Sequence, residues 1–433
     1  MRALSLLKRY MSNVPWAVWQ NGYRWSSSVQ KLESNTTLLK HLAYKINATG
    51  PISVAEYMRE ALTNPVSGYY TRNDMLGPDG DFITSPEISQ IFGELLGVWC
   101  VSEWMAAGKP SVLHLVELGP GRGSLAGDIL RVFRQLKSVL GEADVSLHLV
   151  EVSPKLSRVQ AERLTRDQQQ EYDAKEELVY RSGTTHTGLP VCWYRRIEDV
   201  PKGFSVFLAH EFFDALPIYK FQRTEKGWRE VLVDVDPESP DKLRFVLSHS
   251  PTLASATFVQ LDEKRQHVEV CPEGGVTIQN LANRIAEDGG AALIADYGHD
   301  GIKTDTFRGY KGHQLHNVLE APGMADLTAD VDFGYLRKMA GGQVTCLGPI
   351  TQQSFLKNMG IDTRMQVLLR SCHDKDTQAQ LIHSYDFLTN PKKMGHRFQF
   401  FSVLGRGRLA QSKGHQKAGT PPPVAGFTEL CRQ

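Results

Sequence analysis

Three glycines within a run of seven residues form the strongest chemical pattern in this sequence, Glu117-Leu118-Gly119-Pro120-Gly121-Arg122-Gly123. Glycines at this spacing let the backbone approach a ligand closely and turn from a strand into a helix. Such a loop suits a dinucleotide as well as the adenosyl sulfonium of S-adenosyl-L-methionine. Glu117 favours the second ligand, because its carboxylate attracts the cationic amino group of a methionine moiety and repels a pyrophosphate.

A second acid, Glu151, follows the next apolar run and is placed to bind both ribose hydroxyls of a nucleoside. It lies further from Gly123 than the about 20 residues usual in dinucleotide folds. The sequence has no GxxxxGK[ST] phosphate loop, which argues against an NTPase. A nicotinamide-dependent oxidoreductase, which uses the same type of loop, is the alternative. The predicted S-adenosyl-L-methionine-binding residues are Glu117, Gly119, Pro120, Gly121, Gly123 and Glu151.

Two further acids, Glu211 and Asp214, belong to the run His210 to Pro217 after a third predicted strand. Because ligands bind beyond the carboxyl ends of parallel strands, we expect this run beside the transferred methyl group. A guanidinium, with a pKa of about 12.5–13.8, resists losing its proton. Two carboxylates suit it, since they hold it bidentately, orient one nitrogen and take up the proton. In the alternative interpretation Asp214 caps a turn and only Glu211 faces the site.

Glu87 is the third catalytic candidate, and it follows a Gly80-Asp81 turn in the first turn of a predicted helix. One interpretation is structural, because an acid at a helix N-terminus stabilises the helix dipole. In the other, the helix N-terminus covers the cofactor.

The hydrophobic pattern predicts an α/β domain with a parallel sheet, because strands alternate with helices. Predicted strands are Val112–Leu118, Val145–Val150, Phe204–Ala209 and Ala291–Tyr297, with another near Val191–Tyr194. Predicted helices are two within Leu38–Thr63, one from about Pro86, one over Leu125–Leu136 and one over Ile278–Ala286. Ser53 and Glu56 predict a capping box. The chain divides into a helical region at 33–110, a domain at 111–410 with a β-meander inserted at about 218–250, and a disordered tail at 411–433.

The composition excludes several classes of protein. Hydrophobic residues make up 41% and charged residues 22%, so a sizeable core is available. The formal net charge of +1 argues against a broad nucleic-acid-binding surface. The six cysteines are scattered without a CxxC pair, so we expect a reducing compartment and neither a metal site nor a disulfide framework. No run approaches ~20 continuous apolar residues, and no membrane span is expected.

The first 32 residues differ from the rest, because they contain arginines, lysines and serines and the first acid is Glu33. This composition is typical of a mitochondrial targeting sequence. The alternative is an ordinary disordered terminus.

Five segments together resemble the MidA-type mitochondrial protein-arginine methyltransferases, in the same order over about residues 38–405. They are residues 80–94, 117–123, 210–217, 296–298 and 322–333. The resemblance implies a Rossmann-like class I S-adenosyl-L-methionine-dependent methyltransferase with an N-terminal helical extension. It also implies a mitochondrial matrix enzyme that forms symmetric ω-dimethylarginine on the iron–sulfur subunit 2 of NADH dehydrogenase and is needed early in complex I assembly.

The resemblance carries the glycine loop over as the cofactor site, and Glu211, Asp214 and Glu87 as acceptor-side residues. Better-studied arginine methyltransferases hold the guanidinium with two glutamates of one loop, whereas this loop offers Glu211 with Asp214. Glu87 is therefore a candidate for the second acid. A non-catalytic complex I assembly chaperone with a methyltransferase fold is the alternative, and the intact Glu117 and glycines count against it.

Overall fold

The computed structural model describes residues 35–71, 84–166, 170–171, 177–260, 262–410 and 424–428. The strands are β1 (Ile52–Ser53), β2 (Val112–Leu118), β3 (Asp144–Val150), β4 (Gln170–Glu171), β5 (Val179–Thr184), β6 (Pro190–Tyr194), β7 (Ser205–His210), β8 (Tyr219–Thr224), β9 (Gly227–Val235), β10 (Leu243–Leu247), β11 (His267–Val270), β12 (Gly290–His299), β13 (Arg308–Lys311), β14 (Gln314–His316), β15 (Asp326–Thr328), β16 (Val331–Asp332), β17 (Val344–Thr351) and β18 (Phe398–Gly405). The helices are α1 (Asn35–Thr49), α2 (Val54–Thr63), α3 (Ser85–Ile88), α4 (Gln90–Ala106), α5 (Ser124–Gln135), α6 (Lys137–Leu140), α7 (Pro154–Leu164), α8 (Leu253–Phe258), α9 (Pro272–Asp288), α10 (Phe333–Ala340), α11 (Gln352–Asn358), α12 (Ile361–Ser371), α13 (Lys375–Thr389) and α14 (Arg406–Ala410).

Within the described residues, a ten-stranded sheet has the order β17-β18-β12-β7-β2-β3-β6-β5-β4, with β16 paired to β12. Its central strands β6, β3, β2, β7 and β12 are parallel, as the sequence predicts. The sheet is nevertheless mixed, because β18 lies antiparallel between β12 and β17. β17 and β18 were not predicted as strands from the sequence. The predicted Rossmann-like α/β architecture is confirmed.

Helices cover both faces of this sheet. The residues of β2 show how the side chains of one strand are divided between the two faces. Leu113 and Leu115 join an apolar cluster with α4, α5 and α7, while Val116 and Leu118 join a second cluster with α9 and α10. Side chains alternate between the two faces of a strand, so both faces of β2 are apolar. Burying one such side chain contributes about 1.5–3 kcal/mol. The packed sheet fixes where the strand ends lie.

The predicted meander is present as β8, β9 and β10, which pair antiparallel. Two strands from other parts of the chain extend it: β1 pairs with β9, and β11 pairs with β8. Helices α1 and α2 pack their apolar faces on this smaller sheet, whereas α4 packs on the central sheet. The two helices predicted within Leu38–Thr63 are confirmed, and Ser53 Oγ accepts the N–H of Glu56 at 3.0 Å. The region predicted to be helical, residues 33–110, therefore packs partly on the smaller sheet and partly on the central sheet.

The single helix expected from about Pro86 is two helices, because Ser89 has an extended backbone (φ −156°, ψ 127°) between α3 and α4. The Ser89 hydroxyl accepts the N–H of Ile91 and so begins α4 as an N-cap. This break leaves α3 as a short turn whose N-terminus faces the central sheet's strand ends.

The final described segment, residues 424–428, lies within the tail expected to be disordered. Val424 and Ala425 are buried, and Asn358 Nδ2 donates to the carbonyl of Gly426 at 2.8 Å. The Phe427 ring contacts Phe355, so apolar burial holds this short segment against α11. The predicted targeting sequence, the Gly80-Asp81 turn and residues 411–423 and 429–433 lie outside the described residues. None of the described helices is long and apolar enough to span a membrane.

Candidate active site

A cavity of about 230 Å³ lies at the carboxyl ends of β2, β3 and β7. Eight of the nine predicted site residues line this cavity, and Gly123 is the exception. The predicted residues in its wall are Glu87, Glu117, Gly119, Pro120, Gly121, Glu151, Glu211 and Asp214. Three loops after parallel strands thus bring together side chains that are far apart in the sequence.

The glycine loop adopts a backbone that other residues rarely take. Gly119 and Gly123 have φ angles of 61° and 76°, in the left-handed region that favours glycine. A Cβ on Gly119 would lie 2.9 Å from Cδ2 of Phe212, so the absent side chain also makes room for this ring. Gly123 is the N-cap of α5 and faces Leu164 instead of the cavity. It turns the chain into the helix but is not part of the cavity wall.

Glu117, at the end of β2, is a buried carboxyl with little to stabilise its charge. It is 3% exposed, and its Oε2 atom is buried without a hydrogen-bond partner among the described residues. Burial raises its pKa to about 8, and the backbone N–H of Ala126 only partly opposes this. A buried acid without a partner is a site for a cationic group.

Glu151, which follows β3, is held in place by a network that the sequence did not reveal. Its Oε1 accepts the N–H of Ser153 at 2.7 Å and its Oε2 accepts Gln160 Nε2 at 3.0 Å. The same Gln160 nitrogen donates to the carbonyl of Gly121 at 2.7 Å, while Gln160 Oε1 accepts from Trp193 at 2.9 Å. Gln160 therefore links Glu151 to the glycine loop. Burial raises the pKa of Glu151 to about 7.

The loop after β7 holds Glu211 in a left-handed conformation, with a φ of 51°. Asp296, on β12, fixes this loop: its Oδ2 accepts the backbone N–H groups of Phe212, Phe213 and Asp214 at 3.2, 2.9 and 3.3 Å. A non-glycine residue in this region costs of order 1–3 kcal/mol and persists only where its surroundings impose it. Three hydrogen bonds to one carboxylate impose it here.

Two further acids, Asp214 and Asp326, lie on the same side of the cavity as Glu211. Asp214 Oδ2 accepts the hydroxyl of Thr328 at 2.8 Å. Its backbone carbonyl accepts the N–H of Ala329 at 3.0 Å, so Asp214 ties the loop to β15. Asp326 Oδ1 accepts the hydroxyl of Tyr70 at 2.8 Å. Asp326 lines the cavity as well, which makes it a second candidate partner for Glu211.

Glu87 has a structural role and also lines the cavity. Thr84 and Glu87 form a capping box at the start of α3, in which the N–H of Thr84 donates to Glu87 Oε2 at 3.3 Å. The next backbone N–H, that of Ser85, favours the charged form of Glu211. The two interpretations of Glu87 are therefore compatible, since the cap also holds α3 over the site.

The carboxyl groups of this region raise one another's pKa values. The pKa of Glu211 is well above its ordinary value because its carboxyl is buried, and the charges of Asp214, Asp326 and Glu87 add to this rise. Burial and the neighbouring Asp214 and Glu211 likewise raise the pKa of Asp296. Within the described part of the chain, no lysine or arginine forms an ion pair with Glu211. Such a cluster favours a cationic ligand.

Sequence reasoning missed Gln160, Asp296, Asp326 and Tyr70 as parts of the site. Asp296 and Asp326 lie within segments that carry the family resemblance, which is a signal that could have singled them out. Gln160 is an ordinary polar position on α7, and Tyr70 follows a turn-rich stretch. No local pattern distinguishes these two residues.

Comparison with known proteins agrees with this geometry. A family model described as "Putative S-adenosyl-L-methionine-dependent methyltransferase" matches residues 95–350, a span that includes the glycine loop and the Glu211 loop. The chain is 73% identical to "Protein arginine methyltransferase NDUFAF7, mitochondrial" of Danio rerio, with 100% of each chain covered. It is 59% identical to the Homo sapiens protein of the same name, over 96% of this chain and 95% of that protein.

A solved structure shares the fold. A protein from Burkholderia thailandensis, crystallised with bound S-adenosyl-homocysteine, matches with a TM-score of 0.69. It covers 88% of this chain and 95% of its own, at 23% sequence identity.

Proposed function

Because the chain belongs to the S-adenosyl-L-methionine-dependent methyltransferases and, within them, to the family of its NDUFAF7 relatives, we propose that it methylates arginine side chains of a protein. The observation that carries this proposal is the buried acidic end of the cavity, where Glu211, Asp214 and Asp326 lie without an ion-paired cation on Glu211. A planar guanidinium satisfies two carboxylates at once, which a hydroxyl, thiol or carboxylate acceptor does not.

The residues at the other end of the cavity fit S-adenosyl-L-methionine, the cofactor of the family. The unpartnered Oε2 of Glu117 suits the cationic amino group of its methionine part. Glu151, held by Ser153 and Gln160, retains lone pairs for the ribose hydroxyls. The left-handed Gly119 keeps the loop free of a side chain where the ligand approaches. Gly121 and Pro120 complete this wall of the cavity.

When bound, the cofactor supplies a methyl group already activated by a sulfonium. The chain's own residues then need to align the acceptor, exclude water and accept one proton. Glu211 and Asp326 hold the guanidinium through charge-assisted hydrogen bonds, and Tyr70 orients Asp326. Glu211 takes the proton that the attacking nitrogen releases, and its raised pKa favours keeping that proton. Asp214 and Asp296 position the loop.

The finer proposal concerns product, substrate and place. We infer that the product is symmetric ω-dimethylarginine, that the substrate is the iron–sulfur subunit 2 of NADH dehydrogenase in the mitochondrial matrix, and that methylation serves complex I assembly. The resemblance of five sequence segments supports it. The names of the relatives, which are arginine methyltransferases and mitochondrial, are consistent with it, as is the acid-free composition of residues 1–32.

The decisive experiment is mass spectrometry of methylarginine on mitochondrial proteins from cells that lack this protein and are complemented with variants. Wild type restores symmetric dimethylarginine on the subunit, whereas Gly121→Val and Glu211→Gln do not. Glu142→Gln, an exposed change before β3 and outside the cavity wall, serves as the control and restores it. Normal complex I assembly in cells with Gly121→Val and no methylarginine would instead favour an assembly chaperone.

The cofactor is tested separately by thermal unfolding. S-adenosyl-homocysteine raises the melting temperature by an amount that grows with the logarithm of its concentration above Kd, and NADH does not. Stabilisation by NADH alone would favour an oxidoreductase.

A further inference from the structure

A second cavity, of about 760 Å³, lies beside the active-site cavity and shares Pro86 and Ser124 with it. Its floor is one side of α5, from Ser124 to Arg134. At 1.5 Å per helical residue this floor is about 15 Å long. An extended chain advances about 3.3 Å per residue, so four or five residues of a bound peptide would cover it.

The walls of this cavity are fixed by hydrogen bonds between neighbouring elements. The end of α7 contributes Arg163 and Leu164, and the turn between β5 and β6 contributes His186 and Thr187. The N–H of His186 donates to the carbonyl of Leu164 at 2.9 Å. Arg166 Nε donates to the carbonyl of His186 at 2.9 Å. The turn is therefore anchored to α7, and the cavity is a preformed groove.

The charges in this groove are mainly positive. Among the described residues that line it are Arg131, Arg134, Arg163 and His186, with Asp128 as the acid. Arg131 forms an ion pair with Asp128, which leaves Arg131 Nε buried without a hydrogen-bond partner. Arg134 and Arg163 reach the surface and form no ion pair with the described residues, although the charges of Asp128 and Glu87 act on Arg163. We call this cavity, with its α5 floor and the walls from α7 and the β5–β6 turn, the basic groove.

We propose that the basic groove binds an acidic segment of the protein substrate, a few residues from the arginine that enters the acceptor end of the active-site cavity. This inference rests on the proposed function, because it assumes a protein acceptor. Three observations favour an acidic peptide: the unpaired guanidinium groups, a length that suits several extended residues, and a shared wall with the active-site cavity. The two sites then have opposite charge, acidic for the arginine and basic for its flank.

This arrangement selects among arginines. A segment rich in arginine or lysine is repelled by Arg134 and Arg163, while a segment with one arginine and nearby carboxylates matches both surfaces. Specificity of this kind weakens with salt, because the groove arginines are exposed. The groove therefore determines which arginine is presented and takes no part in methyl transfer.

The test uses the full chain and two synthetic peptides, each with a single central arginine. One peptide carries two glutamates four to eight residues from the arginine on each side, and the other carries glutamines at those positions. Fluorescence anisotropy in the presence of S-adenosyl-homocysteine measures peptide affinity at low and high salt. Methyl transfer to each peptide measures kcat/KM.

Wild type is expected to bind the acidic peptide about tenfold more tightly, equivalent to about 1.4 kcal/mol, and to lose this preference at high salt. The double variant Arg134→Glu/Arg163→Glu loses the preference at low salt but keeps its affinity for S-adenosyl-homocysteine. Arg158→Glu, an exposed change on the same helix as Arg163 but outside the groove, keeps the preference.

Equal affinity of wild type for both peptides, or an unchanged preference in the double variant, overturns the proposal. Displacement of both peptides by millimolar inorganic phosphate, with no affinity lost on replacing the glutamates by glutamines, also overturns the proposal, because it would mark a small-anion site. Anisotropy needs no turnover, so absence of methylation on both peptides would reject the arginine acceptor and leave the groove test valid.

Discussion

Glu211→Gln should make the protein more stable and much less active. The amide keeps the shape of the side chain but carries no charge, so it avoids the burial cost that raises the pKa of Glu211. It also offers an N–H donor near His210 Nε2, which lies 3.4 Å from Glu211 Oε1 and is buried without a hydrogen-bond partner among the described residues. Both effects favour the folded state of the variant.

The magnitude depends on pH, and the sign follows from the raised pKa. Above the ordinary pKa of 4.5 the unfolded chain releases this proton while the folded protein keeps it, so wild-type stability falls as pH rises. The loss is at most about 1.4 kcal/mol per pH unit until the folded-state pKa is reached. At pH 7, which is 2.5 units above 4.5, the upper limit is therefore about 3.5 kcal/mol. For domains of 150–250 residues, 1 kcal/mol corresponds to about 2–4 °C in melting temperature.

Activity should move in the opposite direction. Removing one partner of a buried charge pair costs about 2–5 kcal/mol, which corresponds to a loss of roughly 30-fold to several thousand-fold in kcat/KM for an arginine peptide. Thermal unfolding between pH 4.5 and 8 and methyl transfer at pH 7.5 measure the two effects. Glu142→Gln, at an exposed position before β3, is the control and should change neither. A lower melting temperature for Glu211→Gln at pH 8, or kcat/KM within threefold of wild type, would refute this reasoning.

Three further predictions concern the cofactor side. Gly119→Ala should weaken S-adenosyl-homocysteine binding by at least tenfold in calorimetry, because it places a Cβ 2.9 Å from Phe212 at a φ of 61°; unchanged affinity would contradict it. Gln160→Leu should raise KM for S-adenosyl-L-methionine by roughly tenfold with kcat largely retained, since it frees Glu151 and the carbonyl of Gly121; a loss of kcat alone would not fit. Binding of S-adenosyl-homocysteine should strengthen from pH 6 to 8 and release a proton, because the cationic amino group favours ionised Glu117, whose pKa is about 8. Proton release makes the binding enthalpy depend on the buffer. This buffer dependence should disappear in Glu117→Gln.

The sequence was sufficient for those parts of the site that depend on local pattern. Glu117 lies at the end of a short apolar run, Gly119 and Glu211 follow such runs, and these runs in a parallel sheet end at the same edge. The periodicity identified β2, β7 and β12 closely, so the positions of the loops followed from it. The glycine loop could be proposed as the cofactor site because its turn, glycines and upstream acid are consecutive in the chain.

The second acid could not be assigned in this way, because its position depends on contacts between distant segments. Asp326 reaches the cavity on β15, which belongs to a small sheet with β13 and β14 that no alternation predicted. Tyr70, its hydrogen-bond partner, comes from the other end of the chain. Asp214 occupies the expected loop, but its carboxylate is used by Thr328. Asp214 lines the cavity as predicted, and our proposed clamp uses Asp326 as the partner of Glu211 because Thr328 already donates to the carboxylate of Asp214.

Buried acids at both ends of the cavity are placed to offset the positive charges of the two ligands. The proposed reaction brings a cationic cofactor and a cationic guanidinium together, which costs electrostatic energy unless fixed negative groups offset it. In the free protein those groups destabilise the fold, because Glu117 and Glu211 are buried with raised pKa values. Hydrogen bonds with two side chains hold these loops in place despite this cost: Asp296 restrains the Glu211 loop, and Gln160 restrains the glycine loop. In the folded free protein these buried carboxyl groups repel one another, and a bound cation relieves that repulsion. Part of the folding stability that the free protein lacks is therefore recovered as affinity for cations.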